Sequence, residues 1–424
     1  MKRQLASLLA LALLAACGGE GSKNAADLEA NVPQAQRYGG TVVIGEGGDI
    51  PDVSPLTQTD YTGNQIDQFV LFMPLIRYDS AFQPQPWLAR SWEVNKDTTE
   101  LTFHLRHDVY WQDGVKTTAY DMKFSYDLAR NPATTFPNTA FWTYYGDAEA
   151  PDSFTFRVKM KPHADYMDPW RSFAPVPKHI LEGVAPQDLR TNAFATSSPV
   201  GNGPFKFVSR KPGQEWVFAA NDRFPEELGG RPYVDRIVYR VIPEPTTLLT
   251  ELLTGGVDYY VAPPPEQVSR IKANANTRVI TYPDRTFVLV AWNERKLLFK
   301  DPQVRRALTM AINRKEIING ILYGYGTVGN STVPPIFWQY DPQAGSDLTY
   351  NPEKAKQLLA QAGWVDRNGD GVIENAQGVP FRFTLKTNKG NGARADMVEK
   401  IQADLRKVGI DAQPMQVEWG ALLD

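Results

Sequence analysis

The single cysteine of this 424-residue chain stands at position 17, and that fact limits how the rest can be held together. No disulfide can form within the body, and no cysteine-based zinc site can be built there. Four histidines, His104, His107, His163 and His179, are too few to compensate. His104 and His107, three apart on a strand, would face opposite sides and could not share a metal. The body must therefore rest on an apolar core, and 42% hydrophobic against 22% charged residues allows one. The length implies two or three domains. Lys and Arg number 45 against 48 Asp and Glu, a net charge of -3. That balance lacks the basic footprint a phosphate backbone demands, so nucleic acid is excluded as a partner.

The N-terminus sets the compartment. Lys2 and Arg3 precede the apolar run from Leu5 to Leu14, and Ala15 and Ala16 follow. This is the order of an export signal, here residues 1–16, and the run is too short to span a bilayer. Leu14-Ala15-Ala16-Cys17 resembles the bacterial lipobox, which implies that the Cys17 thiol receives a diacylglyceryl group and becomes the mature N-terminus. The small and polar residues 17–39 read as a lipid-anchored flexible linker. No later segment has the roughly 18 apolar residues of a membrane span. The expected location is the bacterial cell envelope, in the periplasm or on the outer face of the cytoplasmic membrane.

Along the body, TVVIGE from Thr41 reads as a strand, and the alternations at Leu101, Phe103, Leu105 and at Phe154, Phe156, Val158, Met160 read as two half-buried strands. A helix begins between them near Thr118, with Asp121 placed for a capping box. Residues 204–242 are strand-rich and lead to a short helix stopped by Gly255 and Gly256. RTFVLVAWN (285–293) is expected to be an apolar strand. Asp301 and Pro302 cap a helix read through to Gly324, with Val304, Ala307, Leu308, Ala311 and Ile312 on its buried face. Asn351 and Pro352 start another, with Ala355, Leu358, Leu359 and Ala362 inside. FRFTLKT, GARADMVEKIQADLRKVG and DAQPMQVEW then form a βαβ-like unit. The fold class is α/β with mixed sheets.

Motifs of chemistry are sparse. Gly324, Gly326 and Gly329 spell G-x-G-x-x-G, but they follow a helix where a dinucleotide site needs a strand first, so they read as a helix stop. Asp366, Asn368, Asp370 and Gly371 match the first half of a calcium loop, yet position 12 falls on Gln377, which lacks the required carboxylate; a polar turn is the better reading. No G-x-S-x-G, H-E-x-x-H or Walker A pattern occurs, so no catalytic residue, metal or cofactor is expected. The high aromatic content suits an organic ligand pocket.

Several blocks read together carry a resemblance. LARSWEVNKDTTELTFHLRHDVYWQDGVKTTAYDMKFSYDLA, SSPVGNGPFKF, LLTGGVDYY, FKDPQVRRALTMAINRKEII and YNPEKAKQLLAQAGWVDRNGDG resemble, in order, the family 5 extracellular solute-binding proteins of ABC importers. The resemblance covers nearly all of the chain after Gly40. It implies a two-lobed periplasmic-binding-protein-like (class II) fold with an extra subdomain. Lobe I would be split over residues 40–72 and 178–287, the inserted subdomain would be 73–177, and lobe II would be 288–424, with RTFVLVAWN as the hinge crossing. Carried over residue by residue, ligand contacts fall on Thr59, Asp60, Tyr61, Phe136, Asn138, Phe287, Asn388, Trp419 and Leu423.

The resemblance implies a monomeric lipoprotein that captures peptides or a similar small solute between its lobes and delivers it to permease subunits, closing around the ligand through contacts made only in the closed state. An exported two-lobed hydrolase and a solute-sensing lipoprotein are the alternatives. The sequence stops at GALLD, in the opening turn of a helix, so the C-terminal segment that would complete lobe I, with the carboxylate that holds a peptide's α-amino group in peptide-binding members, is expected to lie beyond Asp424. A chain of these 424 residues is then expected to aggregate or bind ANS and to show no ligand-induced rise in melting temperature.

Overall fold

A computed structural model of the chain describes residues 37–337, 339–418 and 421–422. The expected signal peptide, Cys17, most of the expected linker, Trp419 and Leu423 lie outside the described residues. The chain divides into two compact units, residues 1–261 and 262–424. In chain order the strands are β1 (Thr41–Glu46), β2 (Ile76–Tyr78), β3 (Pro84–Pro86), β4 (Ala89–Val94), β5 (Glu100–Leu105), β6 (Tyr145–Asp152), β7 (Thr155–Met160), β8 (Phe205–Lys211), β9 (Glu215–Ala220), β10 (Arg236–Val241), β11 (Tyr259–Tyr260), β12 (Arg382–Asn388) and β13 (Asp411–Val417).

The first unit holds a five-stranded mixed sheet in the order β11-β1-β10-β9-β8. β1 runs parallel to both β10 and β11, while β10, β9 and β8 pair antiparallel. A parallel neighbour needs a crossover, and the helix Pro245–Thr254 supplies it between β10 and β11. Its Leu248 packs so closely on β1 that a Cβ at Gly45 would lie 2.2 Å from the Leu248 side chain. Gly255 ends this helix at φ 82°, a conformation that suits glycine.

A second, antiparallel sheet has the order β4-β5-β7-β6 and lies within the stretch 73–177 expected as an insert. The helix Ala119–Arg130 covers it and opens with the capping box read from the sequence, the Asp121 carboxylate accepting from the Thr118 backbone N at 2.8 Å. Between helix and sheet Trp170, Trp142, Tyr126, Phe103, Phe156 and Phe173 interlock edge to face. One continuous apolar core joins the five-stranded and four-stranded sheets of this unit.

In the second unit the helices Pro302–Ala311, Pro352–Gln361 and Gly392–Arg406 share one apolar core with the parallel pair β12–β13. Asp301 and Asn351 cap their helices as expected, accepting from Gln303 N at 2.8 Å and Lys354 N at 2.9 Å. Two expectations fail here. The helix read through to Gly324 is two, Pro302–Ala311 and Arg314–Gly320. The break comes at Asn313, whose backbone N donates to the buried Asp404 carboxylate at 3.0 Å while its side chain caps the second helix through Glu316 N at 3.3 Å. RTFVLVAWN is not a strand among the described residues, and its Phe287, Val288 and Leu289 are exposed. An apolar run becomes a strand only when a neighbour supplies its hydrogen bonds, and no described segment pairs with this one. The glycines of G-x-G-x-x-G follow the helix ending at Gly320, and Gly324 takes φ 83° as a helix-stop residue does.

Candidate functional site

The carboxyl ends of β1, β10 and β11 come together at Glu46, Val241 and Tyr260. In open α/β sheets ligands bind outside such strand ends. The segment that follows β1 supplies a densely bonded loop there. Asp52 is its organiser: Oδ1 accepts from Ser54 N at 2.6 Å and Oδ2 from Thr57 Oγ1 at 2.5 Å, a pattern that Asp readily forms in turns. Trp216 of β9 donates its Nε1 to Ile50 O at 3.0 Å, and Arg210 of β8, lying over the Trp216 ring, donates to Pro51 O at 3.2 Å and pairs with Asp49 at 3.3 Å. The sheet thus fixes the loop from below.

The loop ends in Thr59, Asp60 and Tyr61. Asp60 caps the short helix Tyr61–Gln65 by accepting from Gly63 N at 2.9 Å. Gly63 is required, since a Cβ there would sit 2.7 Å from Asp52 O. The helix continues as a π-helix, Ile66–Leu71, a form that recurs at functional sites. Thr62 Oγ1 donates to Glu46 Oε2 at 3.1 Å, tying the turn to the end of β1. Burial, with Asp60 nearby, pushes the Glu46 carboxyl up to about 7 against the pull of the Thr62 hydroxyl. Its Oε1 is buried without a partner among the described residues. Burial also raises Asp52, opposed by the Thr57 and Ser54 hydrogen bonds and by Arg190 and Arg210.

Thr59, Asp60 and Tyr61 are therefore together on one surface turn, with Tyr61 56% exposed. Phe136 is elsewhere in the same unit and only 5% exposed, wedged against Trp142 and Phe173 in the aromatic core. Asn138 beside it is exposed and caps a 3-10 turn, accepting from Phe141 N at 3.0 Å. In the second unit Asn388 ends β12, where Arg394 donates to its Oδ1 at 2.9 Å, and Phe287 lies in the unpaired segment. Trp419 and Leu423 are outside the described residues. Glu46, Asp52 and Asp67 were not singled out from the sequence; the one usable signal was an acid ending an apolar strand run.

Among the described residues no three acidic, histidine or cysteine side chains group as a metal site would. The 366–371 loop is a hydrogen-bonded turn, with Asp366 accepting from Gly369 N at 2.7 Å and Gly371 N at 3.0 Å. No helix among the described residues is long and apolar enough to cross a membrane.

Comparison with known proteins gives a consistent result. The sequence model of the bacterial extracellular solute-binding proteins, family 5, middle part, matches residues 83–424. The chain is 34% identical to the oligopeptide-binding protein AppA of Bacillus subtilis over 439 residues, covering all of this chain and 78% of that protein. Among solved structures it is similar to AppA in complex with a nonapeptide, with TM-score 0.79 and 33% identity over 91% of this chain and 76% of that one. It is also similar to NikZ from Campylobacter jejuni in complex with Ni(L-His), with TM-score 0.76 and 26% identity over 90% of this chain and 74% of that one.

Proposed function

Starting from the premise that the chain belongs to the family 5 bacterial extracellular solute-binding proteins, substrate-binding components of ABC importers, we propose that it captures an extended peptide and hands it to the permease without chemically altering it. The observation that carries this reading is the likeness to AppA along the whole chain, in sequence and in fold, since AppA was solved holding a nonapeptide. The Thr59–Tyr61 turn at the strand ends supports it, because an exposed tyrosine beside acceptor groups suits a peptide's rings and backbone N–H groups. Asn388 at the end of β12, with Asn138, Phe136, Phe287, Trp419 and Leu423, completes the proposed contact set by resemblance, and Phe136 would act from the core.

Retention at the membrane is a separate part of the proposal. Lys2-Arg3, the short apolar run and Leu14-Ala15-Ala16-Cys17 support an exported, lipid-anchored protein that works as a monomer. Cys17→Ser is expected to move the protein from the membrane pellet to the soluble fraction, and a variant that stays in the pellet after a carbonate wash would show another anchor. The peptide reading itself is tested by titrating nonapeptides into full-length protein. The wild type should bind one per chain, and Trp419→Ala should weaken the best of them by about 1–3 kcal/mol, the loss typical of a central aromatic anchor.

A further inference from the structure

The segment that follows the Thr59–Tyr61 turn carries a buried acid that the proposed peptide contacts do not use. Asp67, on the first turn of the π-helix, is 1% exposed. Its backbone O accepts from Phe72 N at 3.0 Å, and its side-chain Oδ1 has no hydrogen-bond partner among the described residues. Gln58, also buried, leaves its Oε1 without a donor. Asp52 faces Asp67 electrostatically, and its two oxygens are already taken by Ser54 and Thr57. Arg190 and Arg210 act on Asp52, while no basic residue acts on Asp67. Glu46, Asp60 and Tyr239 are the other titratable groups around this segment, and Asp49 is paired with Arg210.

An ionised carboxylate only accepts hydrogen bonds, whereas a protonated one also donates one. A charged Asp67 would be a fully buried anion, short of a donor and facing a second anion, which is strongly unfavourable. A neutral Asp67 removes the buried anion and leaves the single charge on Asp52, where two arginines offset it. The geometry points to Asp67 as a proton-binding site whose ionisation loosens the segment 49–72 that carries the Thr59–Tyr61 turn. The proton leaves to solvent, two carboxylates then oppose each other, and the strain is relieved by opening the bonds that pin the segment: Val53 N to Ala195 O at 3.1 Å, Gly203 N to Leu71 O at 2.9 Å and Met73 N to Asn202 Oδ1 at 3.0 Å.

Burial first, and Asp52 second, hold the Asp67 carboxyl well above the ordinary carboxylate range. For an acid raised in the folded state, the stabilisation is complete below its unfolded pKa, about 4, and is lost as pH rises through the folded value. Opening must therefore increase with pH. That the loosened segment is the ligand turn rests on the peptide reading above, but the test needs no ligand, so its failure would leave that reading standing. Hydrogen exchange is followed in peptides spanning 49–73 of the unliganded full-length protein from pH 5 to pH 8, with intrinsic rates divided out. Opening in the wild type should rise by up to about tenfold per pH unit over part of this range, and in Asp67→Asn the rise should shrink to the part contributed by Glu46, whose carboxyl is itself pushed up to about 7. In parallel, the infrared C=O band of a protonated carboxylic acid at pH 7 should be present in the wild type and reduced in Asp67→Asn. Superimposable exchange profiles, or an unchanged band, would overturn the proposal.

Discussion

Replacing Trp170 by alanine is expected to destabilise the first unit by about 3–5 kcal/mol, the cost of emptying a fully buried aromatic site. Trp170 has no exposed surface and stands at the centre of the aromatic cluster, meeting Phe103, Tyr145 and Phe156 edge to face and stacking on Tyr126. Its Nε1 donates to Tyr145 Oη at 3.2 Å, and Tyr145 in turn donates to Tyr166 O. Both sheets share this core, so the large side chain cannot be replaced by local collapse without moving one of them. In a unit of this size the loss corresponds to a fall in melting temperature of about 10 °C. Differential scanning calorimetry at pH 7 is the measurement. A fall under about 2 °C would mean that the cluster is loosely packed.

The second large effect is expected at Gly201, inside the VGNGPF run. A Cβ there would lie 2.0 Å from Leu71 O, and at Gly203 one would lie 2.8 Å from Leu71 C. These glycines let the chain lie directly against the end of the π-helix, where Gly203 N bonds to Leu71 O and Asn202 accepts from Met73 N. Gly201→Ala must push two backbone segments apart, and about 3 kcal/mol, the upper part of the range for overpacking, is the expected cost. The displaced segment carries the proposed ligand turn, so peptide affinity should fall with stability. Gly183→Ala, where an added Cβ meets nothing within 4 Å, should leave both nearly unchanged. If Gly201→Ala melts and binds like Gly183→Ala, the close approach has no structural role.

These two sites also mark how far the sequence can be read. Elements whose ends are chemically punctuated were legible: Thr118 with Asp121, Asp301 with Pro302 and Asn351 with Pro352 each begin a helix as expected. The βαβ unit of 382–417 was legible too, because period-2 and period-3.6 patterns alternate there. What failed depends on a partner distant in sequence. RTFVLVAWN has the apolarity of a strand, but nothing in its own residues says whether a neighbour pairs with it. The break at Asn313 is made by Asp404, which is itself held by Lys400 at 2.7 Å and Lys407 at 2.8 Å. The Thr59–Tyr61 turn was singled out only through the resemblance. Glu46, Asp52 and Asp67 were not found at all, because an acid's burial is set by what folds over it.

Peptide capture is tested most directly by a thermal shift of purified full-length protein against a mixed nonapeptide library, with a single tight binder then followed by titration calorimetry. Saturation at about a hundredfold excess over Kd should add about 2.7 kcal/mol of stability, with one peptide bound per chain and a clearly higher melting temperature. A cooperatively folded protein whose melting is unmoved by every peptide, while a non-peptide solute raises it, would contradict the account.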